Sequence, residues 1–299
     1  MGKRVRNKKL KTLVDVILPV YGRFDLLTQC LDSIPEAMGT IPYSVTIVDN
    51  NSPDKVKFYA DEIQKYYDPL LFSCKIDIVQ NKTNLGFIGA CNKGARRGTS
   101  PLIFFLNSDV ILEPDSINKL VKTLDTPNIG VVGMKLLFPT STQLHESGLD
   151  MRIRPAQKVQ HIGLMTNVRG EVIHSFIGWS ADSKKVNLVD LDEDGNELPY
   201  QARSVMAVTG AALMVRRNVF KLAGGFDKDF GTGTYEDVSL CMASRKLGYN
   251  VVVNPHAVGT HFVGAYSEKY NAGFPLNQNY QIFVNKWHDH MKQWDYNIL

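Results

Sequence analysis

The 299 residues are 44% hydrophobic, 21% charged and 10% aromatic, enough apolar material for a sizeable core and too much for a disordered chain. The formal charge of +4 is concentrated at the start: Lys3, Arg4, Arg6, Lys8, Lys9 and Lys11 precede any acid, and of the 34 basic residues the remaining 28 face 30 acidic ones. The body is therefore slightly acidic, which argues against a nucleic-acid partner, and no apolar run approaches the ~20 residues of a membrane span.

Residues 1–12 read as a basic flexible tail without the apolar stretch of a secretory signal. Such a tail is either solvated or drawn to anionic lipid, at ~1 kcal/mol per basic residue near the surface. Cys30, Cys74, Cys91 and Cys241 show no CxxC spacing, the usage of reduced, buried cysteine. A cytoplasmic protein is expected, with the inner membrane face as the surface that the tail could contact.

In chain order, LVDVILPV (13–20) predicts a buried strand, and FDLLTQCLDSI a helix with Leu26, Leu27, Cys30, Leu31 and Ile34 on one stripe. A strand at 44–50, a turn at Asn51-Ser52-Pro53, the helix DKVKFYADEIQKYY and a strand at 75–81 follow. NKTNLGFIG opens another helix through Arg97, and LIFFLNSD (102–109) is a fourth strand. Nearly unbroken apolar strands alternating with helices imply an α/β fold: a mostly parallel, Rossmann-like sheet with helices on both faces.

The second half opens with a strand at 129–138. Residues 140–205 are mixed and read as hairpins and a surface loop bearing Asp190, Asp192, Glu193, Asp194 and Glu197. A strand at 205–217 runs into the short helix NVFKLAGG. DVSLCMASRKLG is a helix closed by Gly248, VVVNP is a strand, and a polar, aromatic tail ends the chain. The expected division is an alternating half at 13–125, a less regular half at 126–270 and a C-terminal tail at 271–299.

Ligands of open α/β sheets sit outside the carboxyl ends of the strands. Asp109 arrives as the fourth strand runs out, and Asp49 closes the second, so both should face that crevice. Asp109 could equally cap a strand, and Asp49 could form a turn with Asn50, Asn51 and Ser52. Glu236-Asp237, at a helix start, is either a functional pair or two acids favoured by the helix N-terminus. Arg96 and Arg97 read as solvated helix residues. Neither a nucleophilic triad nor a GxGxxG after the first strand is present.

Several segments, in the right order, resemble the inverting glycosyltransferases of family 2. LPVYGRFDLLTQCLDSI is similar to that family's opening strand, loop and helix, and VDNNSPD to its second strand with a nucleotide-contacting Asp. NKTNLGFIGACNKG matches its NxGFaxaxNxG pattern, and LNSD stands where the family keeps a DxD-type metal motif. GGFDKDFGTGTYEDVSLCMASRKLGY resembles the segment with the catalytic acids, and HFVGAYS the HxGGxS pattern of the rhamnosyltransferase-like branch, with Val263 replacing its first glycine.

The resemblance covers residues 13–267 and implies a single GT-A domain at 13–299, with a nucleotide-sugar-binding half at 13–125, an acceptor and catalytic half at 126–270 and a smaller mixed region on the acceptor side. It further implies a nucleoside-diphosphate sugar donor, UDP- or dTDP-linked, and a glycan or lipid-linked acceptor. Mn²⁺ or Mg²⁺ would be held by Asp109 and His261, with His256 as a rival ligand. Pro19, Val20, Tyr21, Asp49, Asn84, Gly86, Phe87, Asn107, Ser108 and Gly210 would contact the nucleotide sugar. Asp237 would take the acceptor hydroxyl's proton, with Glu236 beside it. A nucleotidyltransferase that makes the activated sugar, a non-catalytic sugar-binding module, and a protein or modified nucleic acid as acceptor are the competing expectations.

Overall fold

A computed structural model of the chain describes residues 11–53, 76–149, 156–166, 171–183, 202–265 and 275–291. The expected helix at 54–67, Cys74, the acidic cluster at 190–197 and most of the basic tail lie outside them.

The first strand, β1 (Val14–Val20), leads into α1 (Phe24–Met38), and β2 (Tyr43–Asp49) follows. After β3 (Ile76–Gln80) come α2 (Gly86–Ala95) and β4 (Leu102–Leu106). These strands pair in the order β3-β2-β1-β4, all parallel, with Val20 opposite Asp49 and Asp49 opposite Gln80. Alternation along β1 explains its oily sequence: Val14, Val16 and Leu18 pack into one core and Ile17 into the core on the opposite face. The α1 stripe is buried as expected, and the helix continues through Pro35 to Gly39, whose φ of 61° ends it.

The second half adds β5 (Val110–Leu112), α3 (Ser116–Thr123), β6 (Ile129–Leu137), α4 (Ser141–Ser147), β7 (Val159–His161), the hairpin β8 (Leu164–Thr166) with β9 (Val172–His174), and β10 (Arg203–Ser204). Then follow β11 (Ala212–Arg216), α5 (Arg217–Leu222), α6 (Glu236–Lys246), β12 (Asn250–His261) and α7 (Leu276–Met291). The sheet extends as β4-β11-β6-β12-β10, in which β11 is antiparallel to both neighbours and β6 and β12 are parallel. The main sheet is thus mostly parallel over its long strands, with helices against both cores.

Three expectations need correction. The strand at 205–217 is β-structured mainly over Ala212–Arg216, because Thr209 and Gly210 turn their N–H groups to side chains at the site instead of a ladder. VVVNP is the first part of a strand twelve residues long, Asn250–His261. Pro255 falls in a register shift between Asn254 and Val258, where a residue without an N–H is tolerated. The C-terminal tail contains α7, whose Phe283 and Asn279 are buried.

Candidate active site

Connections leave β1 and β4 in opposite directions across the sheet, and a cleft of about 370 Å³ opens at their carboxyl ends. Pro19, Val20, Tyr21, Gly22 and Arg23 wall it after β1, Asn50 after β2, and Asn107, Ser108 and Asp109 after β4. Asn84, Gly86 and Phe87 come from the start of α2, Thr232 from the loop before α6, and His261, Val263, Gly264 and Ala265 from the end of β12.

The sheet assembles the metal-type pair. Beyond its register shift, β12 pairs antiparallel with β5, placing His261 opposite Val110. Asp109 Oδ1 then lies 3.4 Å from His261 Nε2, both side chains largely buried at 15% and 7% exposure. Gln160 Oε1, on β7, stands 3.2 Å from His261 Nδ1. With the Nδ1 proton given to Gln160, Nε2 presents its lone pair beside the carboxylate, an arrangement that a cation between them would relieve. Among the described residues no group of three or more His, Cys, Asp or Glu could hold a metal. An oxygen and an imidazole nitrogen at the wall of an open cleft nonetheless fit Mg²⁺ or Mn²⁺, which take few protein ligands and complete their shell from other oxygens and water. His256 is exposed and does not line the cleft; its N–H goes to Asn254 Oδ1 in the register shift.

Asp49 closes β2 but does not line the cleft. Its Oδ1 accepts the Ser52 N–H at 3.0 Å and the Ser52 hydroxyl at 2.6 Å, and Ser52 Oγ accepts the Gly22 N–H. The next residue, Asn50, is the one facing inward. Its Nδ2 donates to the Gly86 carbonyl, and its Oδ1 accepts from Asn81 Nδ2 and the Leu85 N–H. This amide pins the α2 start to the end of β2. In the sequence alone Asn50 reads only as a turn residue beside Asp49. Gly86 is needed where it stands: its φ is 68°, and a Cβ there would lie 2.5 Å from Thr232 Cα and O.

Glu236 and Asp237 lie beside the cleft, beyond its wall. Asp237 Oδ2 accepts the Gly210 N–H at 2.7 Å, and Oδ1 accepts its neighbour Val238's N–H at 2.8 Å. Burial raises its pKa, while these N–H bonds and the Thr209 hydroxyl oppose the rise. Glu236 is buried with Oε2 unpartnered, and burial followed by the Asp237 charge pushes its pKa up to about 8. Gly210 is therefore a support for Asp237 and not a lining residue, and a Cβ on it would meet Phe87 and Asp237 at 3.2–3.3 Å. Behind it, His161 Nε2 accepts the N–H groups of Gly163 and Thr209, and Nδ1 lies 2.9 Å from His174 Nδ1. Burial keeps both imidazoles neutral, His174 at about 4. Gln160 and His161 carried no signal in sequence, since their side chains acquire meaning only through β7's pairing with β6.

Residues 15–174 match the protein family described as Glycosyl transferase family 2. The O-antigen biosynthesis protein RfbC of Myxococcus xanthus is 29% identical over 244 residues, 80% of this chain and 16% of that protein. Validoxylamine A glucosyltransferase of Streptomyces hygroscopicus is 22% identical over 253 residues, 83% of this chain and 54% of that one. The chain thus spans about half or less of the length of these relatives. Among solved structures, GalNAc-T7 with UDP, GalNAc and Mn²⁺ aligns with a TM-score of 0.66 at 14% identity, over 95% of this chain and 49% of that one. The mannosyltransferase PcManGT of Pyrobaculum calidifontis, with GDP-Man and Mn²⁺, aligns at 0.54 and 15% identity, over 94% and 70%. What is shared at such identities is the fold, GT-A.

Proposed function

This chain belongs to glycosyl transferase family 2, and from that premise we propose that it moves a sugar, with inversion, from a UDP- or dTDP-sugar to a hydroxyl of a glycan or lipid-linked acceptor. The observation that carries the reading is a division of labour at one sheet edge. A carboxylate–imidazole pair, Asp109 and His261, faces the cleft, and a separate acid pair, Glu236 buried and Asp237 half-buried, lies beyond its wall.

Asp109 and His261 would hold Mn²⁺ or Mg²⁺, and the Mn²⁺ named in the two fold neighbours supports that choice. A divalent cation bound there neutralises charge on the departing diphosphate. Pro19, Val20, Tyr21 and Asn50 would cradle the nucleotide, with Asp49 acting through the Ser52 turn. Asn84, Gly86 and Phe87 would form the floor, and Asn107 and Ser108 the wall towards the sugar.

Asp237 is the base in this reading. Its two backbone bonds orient the carboxylate and leave lone pairs for the acceptor's proton. Adjacent buried carboxylates resist ionising together, so the pair carries one negative charge near neutrality. Glu236, lacking any donor at Oε2, takes the proton and Asp237 keeps the charge.

The test is donor turnover across UDP- and dTDP-sugars, with Mn²⁺ or with excess chelator. Turnover is expected to vanish in chelator. Asp237→Asn should lower transfer by ~10²–10⁴-fold and leave donor affinity within a few-fold of the parent. Transfer at the parent rate by that variant, or full activity in chelator, overturns the respective assignment.

A further inference from the structure

The loop running from Phe230 into α6 holds two non-glycine residues in left-handed backbone, Thr234 at φ 81° and Tyr235 at φ 66°. Such residues persist only where surrounding contacts over-determine them. Asn279, 2% exposed on α7, supplies them for Thr234, and the Tyr280 and Phe283 rings of the same helix pack against Tyr235. Asn279 Nδ2 donates to the carbonyls of Phe230 at 2.9 Å, Gly233 at 2.7 Å and Thr234 at 3.1 Å, and lies 3.0 Å from Thr234 Oγ1. One buried amide group thus serves four acceptors in five residues of loop.

The other side of this loop belongs to the site. Thr232 lines the cleft, its carbonyl accepts the Phe87 N–H at 2.8 Å, and its backbone occupies the space that Gly86 leaves open. Its exit is Glu236-Asp237, and Asp237 in turn takes the Gly210 N–H. We propose that Asn279 is a positioning residue for sugar transfer, setting the helix start that bears the base against the loop that holds the donor. The proposal rests on the glycosyltransferase reading above. It makes α7 part of the working site, although no residue of α7 lines the cleft.

Trp287 provides the control. Its Nε1 donates to Ser239 Oγ at 2.9 Å, tying α7 to α6 two turns further on. Melting temperature, kcat and donor KM are measured for Asn279→Ala, Asn279→Asp and Trp287→Phe, using whichever of UDP-glucose, UDP-N-acetylglucosamine and dTDP-rhamnose the parent turns over fastest. Asn279→Ala is expected to lose about tenfold or more in kcat per folded molecule, with donor KM within about threefold, because misplacement acts on the chemical step. Asn279→Asp, buried among carbonyl oxygens, holds its proton and one donor, so it should fall between Ala and parent. Trp287→Phe should lower the melting temperature and leave kcat unchanged. A parent-like kcat in Asn279→Ala overturns the proposal.

Hydrogen exchange supplies a readout that needs no substrate. Asn279→Ala, or Asn279→Asp if the first variant does not fold, should raise exchange about tenfold in peptides covering 85–90 and 207–213, and leave 14–20 at the parent rate. Unchanged exchange in both site peptides overturns the clamp. A parent that turns over none of the three donors counts against the functional reading, and the exchange pattern still decides the clamp.

Discussion

Glu236 and Asp237 are neighbours in the chain with opposite surroundings. Asp237 meets two backbone donors, whereas Glu236 Oε2 meets none. The raised Glu236 value has a consequence for stability. The folded state binds that proton more tightly than the unfolded chain, so its contribution is present below about 4.5 and is lost as pH rises towards about 8. Glu236→Gln removes the titration. The melting temperature of the parent should therefore fall relative to that variant between pH 5 and pH 8, as calorimetry over that range would record; parallel curves would place the proton elsewhere. Gly86→Ala is a second residue-scale case. Left-handed backbone and a Thr232 backbone 2.5 Å away forbid the added carbon, so the α2 start must shift, costing ~1–3 kcal/mol and weakening UDP binding in a titration.

At the scale of elements, the site depends on the register shift in β12. Without it, residues 258–261 would not meet β5 and His261 would not reach Asp109. Asn254 holds the shift: its Oδ1 accepts the N–H groups of His256 and Ala257, and its Nδ2 donates to Thr123 Oγ1 at 2.9 Å. Asn254→Ala should cost ~1–3 kcal/mol in unfolding free energy through orphaned backbone donors. It should also raise the Mn²⁺ concentration needed for half-maximal turnover, although Asn254 is not in the cleft. A stability loss with an unchanged Mn²⁺ requirement would disconnect the shift from the Asp109–His261 pair.

Across the whole molecule, polar chemistry is divided between the two edges of the sheet. The carboxyl edge carries the cleft, and the amino edge carries a buried ion pair. Arg217 Nη2 lies 2.5 Å from Asp15 Oδ2, with Nη1 on the Ala95 carbonyl and Nε on that of Ser100. Asp15 also accepts the Ser44 and Ser100 hydroxyls. This cluster joins β1, β2, the β4 entry and α5 where the Gly98 turn leaves no room for a side chain. Removing one partner of such a pair strands the other, so Arg217→Met should lose ~3–5 kcal/mol in chemical denaturation. Turnover per folded molecule should stay at the parent value, because the cluster lies at the edge opposite the chemistry. A large kcat loss would show that the two edges communicate.

Local information was sufficient for much of this protein. Period and apolar runs are properties of short windows, so β1, α1, β2, β4 and β6 were legible, and the carboxyl-edge rule then pointed to Asp109. The ordered family-like segments pointed to Pro19, Tyr21, Asn84, Gly86 and Phe87, all of which line the cleft. What sequence could not decide depends on register and on partners far away in the chain. Whether Asp49 or Asn50 faces the cleft turns on a hydrogen bond to Ser52. Whether His261 or His256 meets Asp109 turns on a shift in β12. That residues 271–299 include a packed helix turns on Asn279 finding carbonyls some 45 positions earlier. A buried amide or imidazole has no local signature, because its role is defined by the groups that the folded chain brings to it.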